Sequence, residues 1–207
     1  MGACYIVGAG SFYGLRSRPG TGDLVIAADG GYAACLREHV TPDLVVGDFD
    51  SLKKEPQQGQ VVHLPVEKDD TDTLAAIRMG LDRGYRQFHL YGGTGGERPE
   101  HTVANLQCLL FLAERGAAGW LYDRTSVCTV LRDGALRFPA GCRGNLSVFA
   151  AGGPALGVTL RGLKYSLNDA DLTPSLPLGV SNAFTGAAAE IRVRSGTLLV
   201  WYDLQDS

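Results

Sequence analysis

The chain has 207 residues, 45% of them hydrophobic and 20% charged, with a formal net charge of −3; it can close a sizeable core unaided, and a disordered or collagen-like polymer is excluded. No run of lysine or arginine offsets the negative balance, which excludes a nucleic-acid backbone or an anionic membrane surface as the expected partner, and no apolar stretch reaches the ~20 residues of a membrane span. Five cysteines (Cys4, Cys35, Cys108, Cys128, Cys142) at irregular spacings, without a CxxC pair, exclude a disulfide framework or a zinc site as an expectation.

From the start to about residue 123, short apolar runs alternate with helical patterns, the signature of parallel strands joined by crossover helices. Strands are expected at about 3–7 (ACYIV), 23–28 (DLVIAA), 43–47 (DLVVG), 60–64 (QVVHL), 86–91 (RQFHLY) and 119–122 (GWLY). Helices are expected over 31–39, over 72–83 with Leu74, Ile77 and Leu81 on one face, and over 100–115 with Val103, Leu106 and Leu110 on one face. Beyond residue 124 the runs LSVFA, VTLRGL, AEIRVR and TLLVWYDL are separated by turn-forming residues, which reads as an antiparallel sandwich. The expectation is an α/β domain over 1–123, with a mostly parallel sheet and flanking helices, and an all-β antiparallel sandwich over 124–207. The opening ACYIVGAG has no basic leader, so the expected address is the cytoplasm.

In a parallel sheet all carboxyl ends of the strands lie on one edge, and ligands bind outside that edge. Five segments follow the first five strands: Gly8-Ala9-Gly10; Asp29-Gly30-Gly31; Asp48-Phe49-Asp50-Ser51; Lys68-Asp69-Asp70-Thr71-Asp72; and Gly92-Gly93-Thr94-Gly95-Gly96. Their convergence makes one expected site. Asp48 and Asp50, two apart just past a strand, bring two carboxylates within reach of one cation, and a hard ion such as Mg²⁺ relieves their repulsion. The Gly92–Gly96 loop leads into a helix, so its N–H groups suit phosphate oxygens. Lys68 and Arg98 are the nearby cations, read either as phosphate partners or as solvated surface charges. Asp29 reads equally as a turn residue, Asp70, Thr71 or Asp72 as helix caps, and His101 as a hydrogen-bonding, stacking or packing residue.

Taken together, Ala28-Asp29-Gly30-Gly31, Pro42-Asp43, Gly47-Asp48-Phe49-Asp50-Ser51, Lys68-Asp69-Asp70-Thr71-Asp72, the glycine loop with His101-Thr102 and Asn105, Gly162-Leu163-Lys164-Tyr165 and Ser181-Asn182 resemble the thiamine pyrophosphokinase family. The resemblance spans almost the whole chain in the family's order. It implies a nucleotide-binding catalytic α/β domain, a thiamine-binding and dimerising β-sandwich, and a homodimer with active sites where the two kinds of domain meet. The implied reaction is Mg²⁺-dependent transfer of a pyrophosphoryl group from ATP to thiamine, giving thiamine diphosphate and AMP. By matching motifs, Asp48, Asp50 and Asp72 hold Mg²⁺ and position the triphosphate, with Arg98 beside them. Asp29, Gly30, Lys68, Gly92, Gly93, Thr94, Gly95, Gly96, His101 and Asn105 fall on the nucleotide side. Thr71, Ser181 and Asn182 fall near thiamine, with Tyr165 or Phe184 as stacking candidates that read equally as core or interface residues.

One departure is visible. The family's glycine loop runs directly into Arg-x-Asp-His, whereas Gly95-Gly96-Glu97-Arg98-Pro99-Glu100-His101 is one residue longer with Glu in the Asp place; Arg98 is expected to keep the arginine's role. Two rival readings remain at this level. A haloacid-dehalogenase-like phosphatase also presents Asp-x-Asp after a strand, but at its first strand and with Thr or Val where Leu52 stands. A non-catalytic nucleotide or thiamine sensor on the same fold has little use for several clustered carboxylates.

Overall fold

The computed structural model describes residues 2–47, 58–64, 69–96 and 98–205, and the chain divides into two compact units, Met1–Arg124 and Thr125–Ser207. Unit 1 runs β1 (Cys4–Val7), β2 (Leu24–Ala28), α1 (Gly31–Arg37), β3 (Leu44–Gly47), β4 (Gln60–His63), α2 (Asp72–Asp82), β5 (Gln87–Tyr91), α3 (Pro99–Glu114) and β6 (Ala118–Tyr122). Its strands lie in the order β6-β5-β1-β2-β3-β4, each pair parallel. The elements are those the periodicity predicts, with ends shifted by one or two residues.

The inner strands are apolar throughout because both faces of the sheet are covered. CYIV, LVIAA and LVVG are buried at every position, whereas the edge strand β4, QVVH, is half-exposed. Ala34 and Cys35 of α1 pack with Tyr5, Val7, Val25, Ala27, Val45 and Tyr91. The opposite face receives α2. Gly80 of that helix sits so close that an added Cβ would stand 2.6 Å from the Phe88 ring and 3.0 Å from Cys4 Sγ.

This tight contact changes the helix faces that the sequence suggests. In α2 the fully buried residues are Ala75, Ala76, Ile77 and Gly80, with Leu74 and Leu81 only partly covered. In α3 the buried stripe is Asn105, Cys108, Leu109 and Leu112, while Val103 is 59% exposed. Small residues let helix backbone meet sheet, so they take the deepest positions although they carry a weak hydrophobic signal.

On the α1 side of β5 and β6 the sheet carries an aromatic layer. His89 stacks on Trp120 at 5.2 Å between centroids, Tyr91 stacks on Tyr122 at 4.7 Å, and His89 Nδ1 lies 3.0 Å from Tyr122 Oη. Burial lowers the His89 pKa. Burial also pushes Tyr91 up to about 12, with the Ser17 hydroxyl and Arg16 backbone offsetting part of the effect; its buried hydroxyl makes no bond of hydrogen-bond geometry.

Unit 2 comprises β7 (Ser126–Arg132), β8 (Ala135–Phe138), β9 (Asn145–Ala150), β10 (Ala155–Arg161), β11 (Leu167–Leu172), β12 (Asn182–Ala183), β13 (Ala189–Arg192) and β14 (Thr197–Asp203). They form two four-stranded antiparallel layers, β12-β9-β14-β7 and β11-β10-β13-β8. Leu146, Val148, Leu198 and Val200 from one layer meet Val158, Leu160, Leu172 and Ile191 from the other in a single core, as alternation on a half-buried strand requires. The sequence carries no apolar signal for β11, LNDADL, which is mostly exposed; it is an edge strand held by backbone pairing with β10, and charge on such an edge discourages pairing with another chain.

All five cysteines are free and buried. Burial pushes the thiols of Cys4 and Cys128 up to about 12 and those of Cys35 and Cys108 up to about 11. These four are expected to resist iodoacetamide in the folded protein near pH 8 and to react on unfolding, as peptide mapping would show. Because the unfolded thiols ionise near pH 8.5, the fold's preference for the neutral form adds stability below that pH. It loses that stability as pH climbs toward the folded values, so the urea midpoint should fall between about pH 8 and about pH 10.5.

Candidate active site

Strand β1 is the point where the sheet changes direction: β2, β3 and β4 lie to one side of it, β5 and β6 to the other. The crevice expected at such a switch point opens between the carboxyl ends of β1 and β5. The two segments leaving those ends lie backbone to backbone. Gly8 N–H donates to Tyr91 O at 2.8 Å, Gly10 N–H to Gly92 O at 2.8 Å, and Ser11 N–H to Thr94 O at 3.1 Å. The carbonyl of Gly93 accepts from Asn105 Nδ2 at 2.8 Å. Four successive carbonyls, that of Tyr91 at the end of β5 and those of Gly92, Gly93 and Thr94 in the loop, are therefore satisfied by the protein. Across a planar trans peptide the N–H points opposite the carbonyl, and no peptide here is cis, so the N–H groups of Gly93 and Gly95 point away from these partners, while Thr94 is paired with Ser11 in an antiparallel bridge. Gly92 has φ +62 and no room for a side chain, since a Cβ there would collide with the Gly8 carbonyl; only glycine meets both conditions.

The cleft at this place has a volume of about 250 Å³ and contains Gly92, Gly93, Gly95 and Gly96 from the loop and Ala9 and Gly10 from the β1 end. Helix α3 contributes His101 and Asn105 and its N-cap residue Arg98, while Asp29 and Thr73 come from the end of β2 and the start of α2. Pro99 opens α3 at a position that needs no N–H, so the helix starts beside the loop with its partial positive end nearby. The N–H of His101 bonds to Arg98 O at 3.1 Å. Arg98 Nε pairs with Glu100 Oε1 at 2.8 Å, and this hydrogen bond lowers the Glu100 pKa. The longer loop thus still puts an arginine on the cleft wall, with the Glu as its partner. Asp29 holds a left-handed backbone, φ +48, and its N–H donates to Val46 O at 2.8 Å; this conformation is sparsely populated for residues other than glycine, and aspartate is among the few that tolerate it.

Of the residues singled out from sequence, Asp29, Gly92, Gly93, Gly95, Gly96, Arg98, His101 and Asn105 come together here. Gly30 is the N-cap of α1. Thr94 is buried and turns its hydroxyl onto Asp123 Oδ1 at 2.9 Å. Thr71 caps α2, accepting from Leu74 N–H at 3.2 Å, with Asp72 following in the first turn; Thr71 also lines a groove of about 240 Å³ with Asp69, Leu74, Gln107 and Phe111. Asp70 is engaged by Arg78 at 2.7 Å. In unit 2, Asn182 is buried. Its Oδ1 accepts from Tyr165 N–H at 2.9 Å and its Nδ2 donates to Tyr165 O at 2.6 Å, while Ser181 takes φ +60. Tyr165 is exposed and Phe184 buried, the latter edge-on to Phe138 in the core. Asp48, Asp50 and Lys68 lie outside the described residues. Thr73 was not marked by the sequence; its only signal is its place in the helix turn after Asp72.

Among the described residues no three His, Cys, Asp or Glu side chains cluster to hold a metal ion. The carboxylate that the cleft does offer, Asp29, presents hard oxygen donors, the chemistry that Mg²⁺ takes, and Asp72 stands in the first turn of α2 beside the cleft residue Thr73.

The sequence matches the thiamin pyrophosphokinase catalytic domain over residues 20–118 and the thiamin pyrophosphokinase vitamin B1 binding domain over residues 136–198. The chain belongs to the thiamin pyrophosphokinase family. The thiamine pyrophosphokinase of Bacillus subtilis (strain 168) is 24% identical over 184 residues, 86% of each protein. The crystal structure of the Bacillus subtilis enzyme superposes with a TM-score of 0.88 at 23% identity, covering 99% of this chain and 100% of that one. The thiamin pyrophosphokinase of Geobacillus thermodenitrificans gives 0.83 at 26% identity, covering 99% of each. The family match sets aside the phosphatase reading of Asp48 and Asp50.

Asn105→Leu leaves the Gly93 carbonyl without its buried donor, a loss of roughly 1–3 kcal/mol. Urea unfolding should register that loss.

Proposed function

We infer that this protein transfers a pyrophosphoryl group from ATP to thiamine, giving thiamine diphosphate and AMP, with the cleft between the β1 and β5 ends as the triphosphate site. The observation that carries the placement is the glycine loop, whose Gly92, Gly93 and Thr94 carbonyls are committed to the protein and leave the Gly93 and Gly95 N–H groups to an anion. The hydroxyethyl oxygen of thiamine attacks the β-phosphorus, the bond from that phosphorus to the α,β-bridging oxygen breaks, and AMP leaves with the bridging oxygen. The hydroxyl proton goes to a carboxylate, for which Asp72 or Asp50 is the candidate. Such a transfer needs alignment and charge neutralisation more than covalent chemistry. Arg98, together with Lys68, supplies positive charge to the phosphate chain, His101 in the first turn of α3 offers a hydrogen bond, and Asp29 belongs to the nucleotide side.

Asp48, Asp50 and Asp72 are the residues we assign to Mg²⁺, which when bound neutralises phosphate charge. Thr71, Ser181 and Asn182 are assigned to thiamine. The last of these acts at least in part by holding the Tyr165 backbone. A homodimer is part of this reading, supported by Leu176, Leu178 and Val180, which stand 60, 55 and 41% exposed on unit 2 and form the kind of apolar surface that partners cover. Five free, buried thiols suit a reducing compartment, the cytoplasm, and no described helix is long and apolar enough to cross a membrane.

Purified protein incubated with ATP, Mg²⁺ and thiamine should yield AMP and thiamine diphosphate in equal amounts, and neither after EDTA. ADP with thiamine monophosphate would keep the site but change the reaction, and binding without turnover would favour a sensor. Asp48→Asn and Asp72→Asn should each lower kcat by on the order of 100-fold at saturating Mg²⁺; turnover near wild type would remove those residues from the mechanism.

A further inference from the structure

The glycine loop is held from behind by a residue that does not line the cleft. Asp123 follows the last residue of β6 and its Oδ1 accepts a hydrogen bond from Thr94 Oγ1 at 2.9 Å. Thr94 is 3% exposed and is the one residue of the five-residue loop with a side chain. On one side of it, Gly93 is fixed through Asn105. On the other, Gly95 and Gly96 are exposed, with φ +65 and +82, and flexible by composition. The carbonyl of Thr94 is itself committed to Ser11 N–H.

We propose that Asp123 is a positioning residue for the phosphate-binding loop, acting through Thr94. An ionised carboxylate only accepts hydrogen bonds, so it fixes the Thr94 hydroxyl as donor and with it the side-chain rotamer. That anchors the loop at its midpoint, keeps the Thr94 carbonyl on Ser11, and fixes the direction of the Gly95 N–H. The effect is geometric and not one of charge. A negative charge behind an anion site opposes the anion, so the acceptor oxygen is what the loop requires, and asparagine can supply it. The proposal rests on the reading of this loop as the triphosphate site.

The test compares wild type with Asp123→Ala, Asp123→Asn, Thr94→Val and the Thr94→Val/Asp123→Ala double variant, measuring ATP affinity by calorimetry with Mg²⁺ and the kinetic constants for both substrates. Loss of this part-buried hydrogen bond to a carboxylate should weaken ATP binding about tenfold in Asp123→Ala, with KM for ATP raised in parallel and KM for thiamine unchanged. Asp123→Asn should restore affinity to within about threefold of wild type, because the acceptor is kept. Thr94→Val should match Asp123→Ala, and the double variant should be no worse than either, as expected of one shared bond. Wild-type affinity in Asp123→Ala, an Asn variant as weak as the Ala variant, or additive losses in the double would each overturn the proposal. If Asp123→Ala does not fold, Thr94→Val removes the same bond and carries the comparison. Wild-type protein that binds ATP but forms no AMP would refute the assigned reaction while the affinity ratios still decide the role of Asp123; wild type that binds no ATP would overturn both.

Discussion

The hydrogen bonds between the segment after β1 and the segment after β5 set the position of everything else in the cleft. The first of them, Gly8 N–H to Tyr91 O, extends the parallel register that pairs Cys4 with Phe88 and Val7 with Tyr91; the next two leave it, Gly10 N–H meeting Gly92 O and Ser11 pairing with Thr94 in an antiparallel bridge. A shift of one residue would exchange the residues of the two buried faces, so the packing of Phe88 against α2 and of Tyr91 against the aromatic layer locks the register. The locked register decides which carbonyls of the glycine loop meet Gly8, Gly10 and Ser11. The first three residues of the loop, Gly92 to Thr94, are held in place because a hydrophobic core elsewhere in unit 1 fixes the strand from which they hang.

Around that backbone the side chains divide into two kinds. Arg98, His101, Asp29 and Thr73 face the cleft, and a ligand can meet them. Asn105 faces both ways, lining the cleft while its amide holds Gly93, and Thr94 faces inward to Asp123. Unit 2 repeats the division, with Asn182 buried and spent on the Tyr165 backbone while Tyr165 itself stands exposed. Buried polar groups that are fully bonded give a loop one conformation, and a loop with one conformation meets its ligand without first ordering.

Much of this was legible in the chain. The alternation of apolar runs and helical patterns in the first half, and its replacement by short strands in the second, follow from periods of 3.6 and 2 that any segment carries in itself. The gathering of Asp29, the glycine loop, Arg98, His101 and Asn105 follows from one rule about the carboxyl edge of parallel sheets. Less was legible where the signal is weak. Ala76 and Gly80 outrank Leu74 and Leu81 in burial because close approach favours small residues. The strand β11 is written in polar residues because it is an edge, and Thr73 entered the cleft through its place in a helix turn.

The sequence by itself determined the kinds of element, their order, the residues that reach the carboxyl edge and the family to which the chain belongs, because local periodicity and motif spacing are properties of neighbouring residues. Tertiary structure alone decided the direction each group points: the loop carbonyls inward, the Thr94 hydroxyl onto Asp123, and the Asn182 amide onto Tyr165. Those directions are set by hydrogen bonds between residues far apart in the chain, and a buried donor takes whichever acceptor the packing of the strands leaves beside it.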